Sequence, residues 1–215
     1  MARTARSRCH WVSRTNTPTS WVSALVLAAG TSSRIGRPKL LLRLGGQSVI
    51  RRAVEAASSS RVRETVVVLG HGAEAVAREI TGFPARAVLN PDYASGMASS
   101  LRVGLEAVSP EAEAALILLG DQPLVTPDVI NRIIRTFETA GKPIVAPVYN
   151  GVQGNPVCFA RALFPALSAL SGDRGAKTIV GEDPSRVEWV TFETDLPLKD
   201  LDVEEDYDAL RRYFS

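Results

Sequence analysis

The first stretch with residue types suited to binding a polyanion follows an apolar run near the amino terminus. The sequence LVLAAGTSSRIGRPKLLL occupies residues 25–42. Its small residues let the backbone approach a ligand and direct N–H groups at it, while Arg34 offers a planar fork of donors and Lys39 a mobile charge. The spacing matches neither the P-loop nor the Gly-x-Gly-x-x-Gly fingerprint. We interpret it as a triphosphate loop, with a glycine turn bearing exposed basic residues as the alternative.

Two later stretches could supply metal ligands. Asp121 ends the apolar run AALILLGD at residues 114–121, and Asp200 and Asp202 alternate with Leu201 just before the last helical stretch. In a strand, one of these two acids would face a cleft and the other would face away. Mg²⁺ typically takes one or two carboxylates and completes its shell with phosphate oxygens and water. The sequence predicts such a site if Asp121 meets a later acid, and otherwise a turn-capping role for Asp121.

A third polar stretch, NPDYASGMASSL, covers residues 90–101. The Asn90 amide could hydrogen-bond a base or a ribose edge, and the Ser99 hydroxyl at the start of a helix suits an oxygen ligand. An Asx-type turn followed by an ordinary helix cap explains the same residues at least as well. Both interpretations stay open at this point.

Composition limits the classes of protein to consider. The chain has 215 residues, 45% of them hydrophobic, with two Cys and two His. These numbers suit one domain in a reducing compartment and leave too few ligands for a disulfide framework or a multi-His metal site. No apolar run approaches the roughly 18 residues of a membrane span. We therefore expect a cytoplasmic protein with no membrane or nucleic-acid partner.

Charge is distributed unevenly along the chain. Ten Lys or Arg precede the first acidic residue, Glu55, and residues 182–208 are rich in acids. The two ends could meet as a phosphate site and a metal site, or could each be solvated surface. Residues 1–21 contain four Arg and no acid. We expect a disordered tail over residues 1–21 and a folded domain over residues 22–215.

Apolar runs alternate with stretches of helical period. We predict strands at residues 22–29, 64–70, 85–90, 114–121, 143–149, 155–160 and 186–192. We predict helical segments at residues 48–59, 73–80, 97–108, 126–140, 161–170, 175–181 and 204–214. Ser48 and Thr126 are the expected N-caps of two of them. This order predicts one α/β domain on a mostly parallel, doubly wound sheet, in which ligands bind beyond the carboxyl ends of the strands.

The motifs in their order resemble the molybdenum cofactor nucleotidyltransferases, which are MobA-like NTP transferases, and most of all their cytidylyltransferase branch. The resemblance runs from about residue 22 to residue 207 and is carried by Leu-Ala-Ala-Gly-x-Ser-x-Arg-x-Gly-x-x-Lys at residues 27–39, NPDYASGMASSL, LGDQP, GNPVCFAR, LSGDRGAK and DLDVEEDY. It implies a single Rossmann-like nucleotidyltransferase domain with a mostly parallel mixed sheet and helices on both faces. It also implies Mg²⁺-dependent transfer of CMP from CTP to the phosphate of molybdopterin-type cofactor, with release of pyrophosphate. The product would pass to a molybdoenzyme.

The resemblance also implies roles for individual positions of this chain. The catalytic residues would be Arg34, Lys39 and Asp121, and the metal ligands Asp121 and Asp202. The nucleotide would contact Leu27, Ala28, Ala29, Gly30, Arg34, Lys39, Gly70, Asn90 and Ser99. The acceptor would contact Asn155, Asp173 and Arg174. Guanylyl-transferring relatives usually have Gly where this chain has Ala29, so the extra methyl group favours CTP over a purine nucleotide.

The sequence departs from the pattern of the branch at two places. Asn155 replaces the usual His between Gly154 and Pro156, so a titrating role toward the acceptor is lost. Val203 and Glu204 replace the usual Thr-Pro, which adds a negative charge near the expected metal site.

Three alternative functions stay open on sequence grounds. The first is transfer from GTP or another NTP to a different phosphorylated acceptor. The second is an NADPH-dependent reductase of a nicotine-derived pigment on the same scaffold. Against it, the chain has no Gly-x-Gly-x-x-Gly fingerprint, and hydride transfer has no obvious use for two acids of the type that binds metal. The third is a non-catalytic carrier of the finished cofactor.

Overall fold

The computed structural model describes residues 20–31 and 35–214. Within these ranges the strands are β1 Val22–Ala28, β2 Arg43–Leu44, β3 Gln47–Ser48, β4 Glu64–Leu69, β5 Arg86–Leu89, β6 Ala114–Leu119, β7 Ile144–Tyr149, β8 Val152–Gln153, β9 Val157–Ala160 and β10 Val187–Phe192. The α-helices are α1 Val49–Ser58, α2 Ala73–Glu79, α3 Met97–Ala107, α4 Pro127–Ala140, α5 Phe164–Ser168, α6 Lys177–Glu182 and α7 Glu204–Arg211.

The main sheet has the strand order β10-β7-β9-β6-β1-β4-β5, and β8 pairs with β7 at one end. Strand β1 lies at the centre of its parallel part and pairs in parallel with both β4 and β6. Strand β9 runs antiparallel between β6 and β7, and β8 is also antiparallel to β7. The prediction of a mostly parallel mixed sheet is therefore confirmed.

Helices cover both faces of this sheet, as the strand sequences require. Alternate residues of β1 point to opposite faces, so Ala24 and Val26 belong to one apolar cluster and Leu25 to the other. The first cluster includes residues of α1, α4 and α7, and the second includes residues of α3, α5 and α6. Because its central strands are buried on both sides, the chain has long uninterrupted apolar runs where these strands lie.

The seven predicted strands all form, each within a few residues of its expected bounds, and so do the predicted helical segments. The expected N-caps are confirmed, because the Ser48 hydroxyl accepts from the N–H of Arg51 and the Thr126 hydroxyl accepts from the N–H of Val129. The short strands β2, β3 and β8 were not predicted, since two residues are too few to show a strand period. None of the helices in the described ranges is long and apolar enough to cross a membrane.

Candidate active site

A cleft of about 470 Å³ opens beyond the carboxyl ends of β1 and β6. In an open α/β sheet this is where ligands are expected to bind. Eight residues of the predicted site line it: Leu27, Ala28, Ala29, Gly30, Lys39, Asp121, Asp173 and Asp202. The lining also includes residues that were not predicted, among them Tyr93, Met97, Ser100 and Asp200. Arg34 lies outside the described residues.

The end of β1 and the loop after β6 are joined by a backbone hydrogen bond. The N–H of Gly120 donates to the carbonyl of Leu27 at 2.9 Å. A Cβ at Gly120 would lie 3.1 Å from that carbonyl oxygen, so a side chain there would crowd the contact. This close approach fixes Asp121 beside the small-residue loop that starts at Ala28.

Lys39 brings the two predicted metal carboxylates together. Its Nζ donates to Asp121 Oδ2 at 2.7 Å and to Asp202 Oδ1 at 2.9 Å. The side chains of Lys39 and Asp121 are 14% and 19% exposed, and that of Asp202 is 37% exposed. Asp121 follows β6 and Asp202 precedes α7, so it is the fold that makes acids 81 positions apart in the sequence converge on one cation.

Burial and neighbouring charge shift the pKa in opposite directions at Lys39 and in the same direction at Asp200. Burial by itself would lower the pKa of the Lys39 ammonium, but the charges and hydrogen bonds of Asp121 and Asp202 outweigh it, so the pKa is raised. Burial raises the pKa of Asp200, and the neighbouring charges of Asp121 and Asp202 raise it further. Lys39 therefore stays protonated, and the carboxylates crowd one another around it.

The expectation that only one of Asp200 and Asp202 faces the cleft is wrong. Both acids line it. The reason is that residues 199–203 are irregular backbone rather than a strand, so strand alternation does not apply to them.

Asp206, in the first turn of α7, holds the backbone at Asp202 and Val203. Its Oδ2 accepts from the N–H of Asp202 at 3.0 Å and from the N–H of Val203 at 2.9 Å. The next residue, Tyr207, donates its hydroxyl to the carbonyl of Arg43 at 2.9 Å. Sequence reasoning did not assign Asp206 a role, although an acid at the third position of a helix is a signal for backward capping of this type.

The loop at residues 171–175 forms one wall of the cleft, because it packs on the start of α3. Gly96 has a φ of +106°, and a Cβ at this position would lie 2.4 Å from the carbonyl carbon of Gly172. The N–H of Ala98 donates to the carbonyl of Gly172 at 3.0 Å. This contact carries Asp173 to the cleft, whereas the Arg174 side chain is 58% exposed and lies 3.9 Å from Glu182. The structure thus brings Asp173, but not Arg174, to the lining.

Asn90 does not reach the cleft. It is fully buried, its Nδ2 donates to the hydroxyls of Ser99 and Ser100, and its Oδ1 accepts from the N–H of Asp92. This is the Asx-type turn that the sequence left open, and it positions the first turn of α3. Ser99 is 8% exposed and donates back to the loop, so Ser100 is the hydroxyl that lines the cleft in its place.

Gly70 also lies behind the lining rather than on it. A Cβ there would lie 2.6 Å from the Cβ of Tyr93 and 2.8 Å from the Cβ of Ala29. Gly70 therefore allows the end of β4 to pack closely on the loop after β1. The Ala29 methyl group is buried in this contact, so its position gives no support to the argument that it narrows the cleft against a purine.

Asn155 and Glu204, which belong to the two departures from the branch, both lie outside the cleft lining. Asn155 is 9% exposed, lies outside the cleft lining, and its carbonyl accepts from the Tyr149 hydroxyl at 2.8 Å. Glu204 accepts from the Arg37 guanidinium, which also lies 4.9 Å from the centre of the Tyr207 ring. The extra charge of Glu204 is therefore paired with Arg37 instead of being added to the carboxylates around Lys39.

The donor set around Lys39 fits a hard divalent cation. Asp121 and Asp202 already hold one cationic group between them, and carboxylate oxygens are the ligands that Mg²⁺ and Mn²⁺ prefer. Among the described residues, no group of three or more His, Cys, Asp or Glu side chains is arranged to hold a metal by itself. Two protein carboxylates completed by substrate phosphates are the arrangement typical of Mg²⁺ in nucleotide enzymes.

Comparison with known proteins places the chain in a family. Residues 24–187, more than half of the chain, match the MobA-like NTP transferase domain. The nicotine blue oxidoreductase of Paenarthrobacter nicotinovorans is 31% identical over 193 residues, which cover 86% of this chain and 93% of that protein.

Two solved structures share the fold over nearly their whole length. A homologue of Mycobacterium tuberculosis Rv0371c from Mycobacterium sp. strain JC1 is 31% identical with a TM-score of 0.82, covering 90% of this chain and 96% of that one. Rv0371c from M. tuberculosis H37Rv, in complex with manganese, is 29% identical with a TM-score of 0.72, covering 90% and 98%.

The fold and the cleft are those of a nucleotidyltransferase. The chain belongs to the MobA-like NTP transferase domain family.

Proposed function

We propose that this nucleotidyltransferase moves CMP from CTP to the phosphate of molybdopterin-type cofactor, with Mg²⁺ as the required metal and pyrophosphate as the second product. The convergence of Asp121 and Asp202 on one cationic position beside the loop after β1 carries the proposal. The manganese complex of Rv0371c, a relative that is 29% identical, supports the requirement for a divalent metal. The choice of CTP and of the acceptor rests on the resemblance of the sequence motifs, including Leu-Ala-Ala-Gly at residues 27–30, to those of the cytidylyltransferase branch, and not on the steric effect of the Ala29 methyl group.

The excess of negative charge in the cleft favours a requirement for a bound metal ion. Of the lining residues that the structure describes, four are acids (Asp121, Asp173, Asp200 and Asp202) and one is a cation, Lys39. A phosphate oxygen about 4 Å from one carboxylate is repelled by about 4 kcal/mol at an effective dielectric constant of 20. A triphosphate therefore needs added positive charge, which a divalent cation held by Asp121 and Asp202 would supply together with Lys39.

The chain's own residues would act by positioning and by balancing charge. Residues 28–31, at the end of β1 and in the loop after it, line the cleft with small side chains, so that backbone N–H groups can approach the phosphates. Lys39 can donate to the oxygens that become pyrophosphate, and Asp121 and Asp202 would hold the metal, which when bound neutralises charge on the phosphates. Asp173 faces the same space and can accept a hydrogen bond from a hydroxyl or an amine of the acceptor.

The proposed reaction needs no strong general base. An oxygen of the acceptor phosphate forms a bond to the α-phosphorus of CTP, and the bond from that phosphorus to the bridging oxygen of the β-phosphate breaks. The electron pair leaves with pyrophosphate. Because the nucleophile is already an anion, catalysis can come from alignment and charge stabilisation.

The direct test is pyrophosphate release by purified protein with Mg²⁺ and molybdopterin-type cofactor, comparing CTP, GTP and ATP. We expect release with CTP alone. Asp121→Ala should reduce the rate by about 1,000-fold, since one charge contact at about 4 Å amounts to about 4 kcal/mol. Asp128→Ala, in the first turn of α4, is the matched control and should keep the parent rate.

Other outcomes separate the alternatives. Release with GTP would retain the mechanism and overturn the assignment of the base. No release with any nucleotide, despite cofactor binding that survives Asp121→Ala, would instead favour a carrier. The likeness to nicotine blue oxidoreductase makes NADPH oxidation in the presence of the pigment the second assay. Oxidation of NADPH without nucleotidyl transfer would overturn this proposal in favour of a reductase.

A further inference from the structure

Lys39 and the acids it contacts form a cluster in which a side-chain cation stands between the proposed metal ligands. The two contacts are of hydrogen-bonding length, at 2.7 Å to Asp121 and 2.9 Å to Asp202. Lys39 and Asp121 are mostly buried, so solvent screens their contact only weakly. Asp200 adds a third carboxylate to the same cleft.

This cation makes the arrangement of the acids stable without a ligand. Asp121 and Asp202 belong to different elements, and two carboxylates at close range repel unless positive charge lies between them. The Lys39 ammonium carries a positive charge at neutral pH and donates to both acids, so it supplies this charge. The backbone of Asp202 is fixed separately by Asp206, so the carboxylates are held in place while their cation can be exchanged.

A divalent cation that enters competes with this ammonium group for the oxygens of Asp121 and Asp202. Two cations bound to the same pair of oxygens would repel each other at short range. The Lys39 stem is flexible, with four methylene groups, and the loop after β1, which begins at Ala29, lines the same cleft. A triphosphate on that loop would offer Lys39 new oxygen acceptors.

We propose that Lys39 is a positioning residue with two alternative sites: it holds Asp121 and Asp202 together in the nucleotide-free protein, and it moves onto the triphosphate when metal and nucleotide bind. This inference rests on the proposed function for its second site. Its consequence is that the free protein binds a divalent cation weakly, and that nucleotide binding creates the metal site by drawing Lys39 away. Metal and nucleotide affinities are then coupled through one side chain.

The test measures Mn²⁺ binding to nucleotide-free protein by electron paramagnetic resonance of the unbound ion. Lys39→Met removes the ammonium group and keeps a side chain of similar length. Because charge-assisted contacts to both acids are lost, we expect Mn²⁺ affinity to rise by about ten- to a hundredfold. Lys142→Met, an exposed position before β7, is the control for net charge and should leave Mn²⁺ affinity unchanged.

A double variant shows where the gained ion binds. Lys39→Met combined with Asp202→Asn should lose the gain in affinity, because a metal ligand is removed. The inference is overturned if Lys39→Met binds Mn²⁺ no more tightly than the parent, if Lys142→Met gains as much, or if the gain persists in the double variant. None of these outcomes depends on nucleotidyl transfer, so a failure of the proposed reaction would be visible separately in the pyrophosphate assay.

A measurement on the unaltered protein covers the case in which Lys39→Met does not fold. The ammonium resonance of Lys39 can be followed by nitrogen-15 nuclear magnetic resonance. We expect millimolar Mg²⁺ alone to leave it unchanged, and Mg²⁺ with CTP to shift it as the ammonium leaves the two acids. A full shift with Mg²⁺ alone, or no shift with both, would contradict the exchange.

Discussion

The close contact between Gly96 and Gly172 predicts that replacing Gly96 by Ala destabilises the protein. Gly96 has φ +106° and ψ 175°, a conformation that residues other than glycine adopt at a cost of about 1–3 kcal/mol. A methyl group there would lie 2.4 Å and 2.5 Å from the carbonyl carbon and oxygen of Gly172. These are backbone atoms and cannot turn aside, so the loop at residues 171–175 must move.

The movement has a second cost, because it breaks the hydrogen bond from the N–H of Ala98 to the carbonyl of Gly172. Such a bond contributes about 0.5–1.5 kcal/mol. We therefore expect Gly96→Ala to lower the free energy of unfolding by about 2–4 kcal/mol. Since the displaced loop carries Asp173 at the cleft, nucleotide or acceptor affinity should fall as well.

The matched control is Gly82→Ala. Gly82 has a φ of +92°, but a Cβ there would meet nothing within 4 Å. This variant has the backbone strain without the collision, so we expect a loss of about 1–2 kcal/mol and unchanged CTP binding. Urea denaturation gives the free energies, and isothermal titration calorimetry gives the affinities. Equal losses of stability in the two variants would refute the argument that Gly96 is needed for close packing of the cleft wall.

Three further predictions concern stability and metal use. Burial alone would raise the pKa of Glu64, but a backbone N–H, an arginine and a serine hydroxyl donate to it and hold the pKa below its usual value. Glu64→Gln should therefore lower the free energy of unfolding by about 1.5–3 kcal/mol at pH 7, as measured by urea denaturation. The difference from the parent should shrink as the pH falls through the folded-state pKa of Glu64, because the parent then loses the same stabilisation. A difference that does not change with pH would contradict this. Thr126→Ala removes the N-cap of α4 and should lower the free energy of unfolding by about 1 kcal/mol. Thr139→Ala, in the last turn of α4, should lower it less. Equal effects of the two substitutions would argue against the capping role of Thr126. Asp206→Ala releases the backbone of Asp202 and should raise the Mg²⁺ concentration for half-maximal activity by about tenfold. Asp208→Ala is the control and should leave this concentration unchanged. A change in both variants or in neither would argue against the positioning role of Asp206.

The parts of the fold that the sequence revealed are those with a strong local signal. The long apolar runs of β1, β4 and β6 predicted buried strands, and Ser48 and Thr126 marked helix starts through side chains that bond the nearby backbone. The pairing of β9 in antiparallel orientation between β6 and β7 has no local signal, because it depends on contacts between distant segments. For the same reason the sequence offered Asp200 and Asp202 as alternatives, while in the structure both reach the cleft.

Residues of the candidate site could be predicted from the sequence where the residue type suits one role only. They could not be predicted where the same residue type serves both a structural and a binding role. Asp121 was a candidate ligand because a carboxylate at the end of a buried strand needs a partner. Asn90 can bind a nucleoside or form a turn, and only its burial against Ser99 and Ser100 shows that it forms the turn. The part played by Asp206 became visible only when its two backbone partners were located.

The most direct test of the central claim follows the α-phosphorus of the nucleotide. Purified protein is incubated with Mg²⁺, molybdopterin-type cofactor and CTP labelled at the α-phosphate, and the products are separated. The label should appear in a dinucleotide form of the cofactor, in an amount equal to the pyrophosphate released, and Asp121→Ala should reduce the rate of both by about 1,000-fold. Label found only in free CMP, or remaining in CTP while the cofactor is bound, would contradict nucleotidyl transfer to this acceptor.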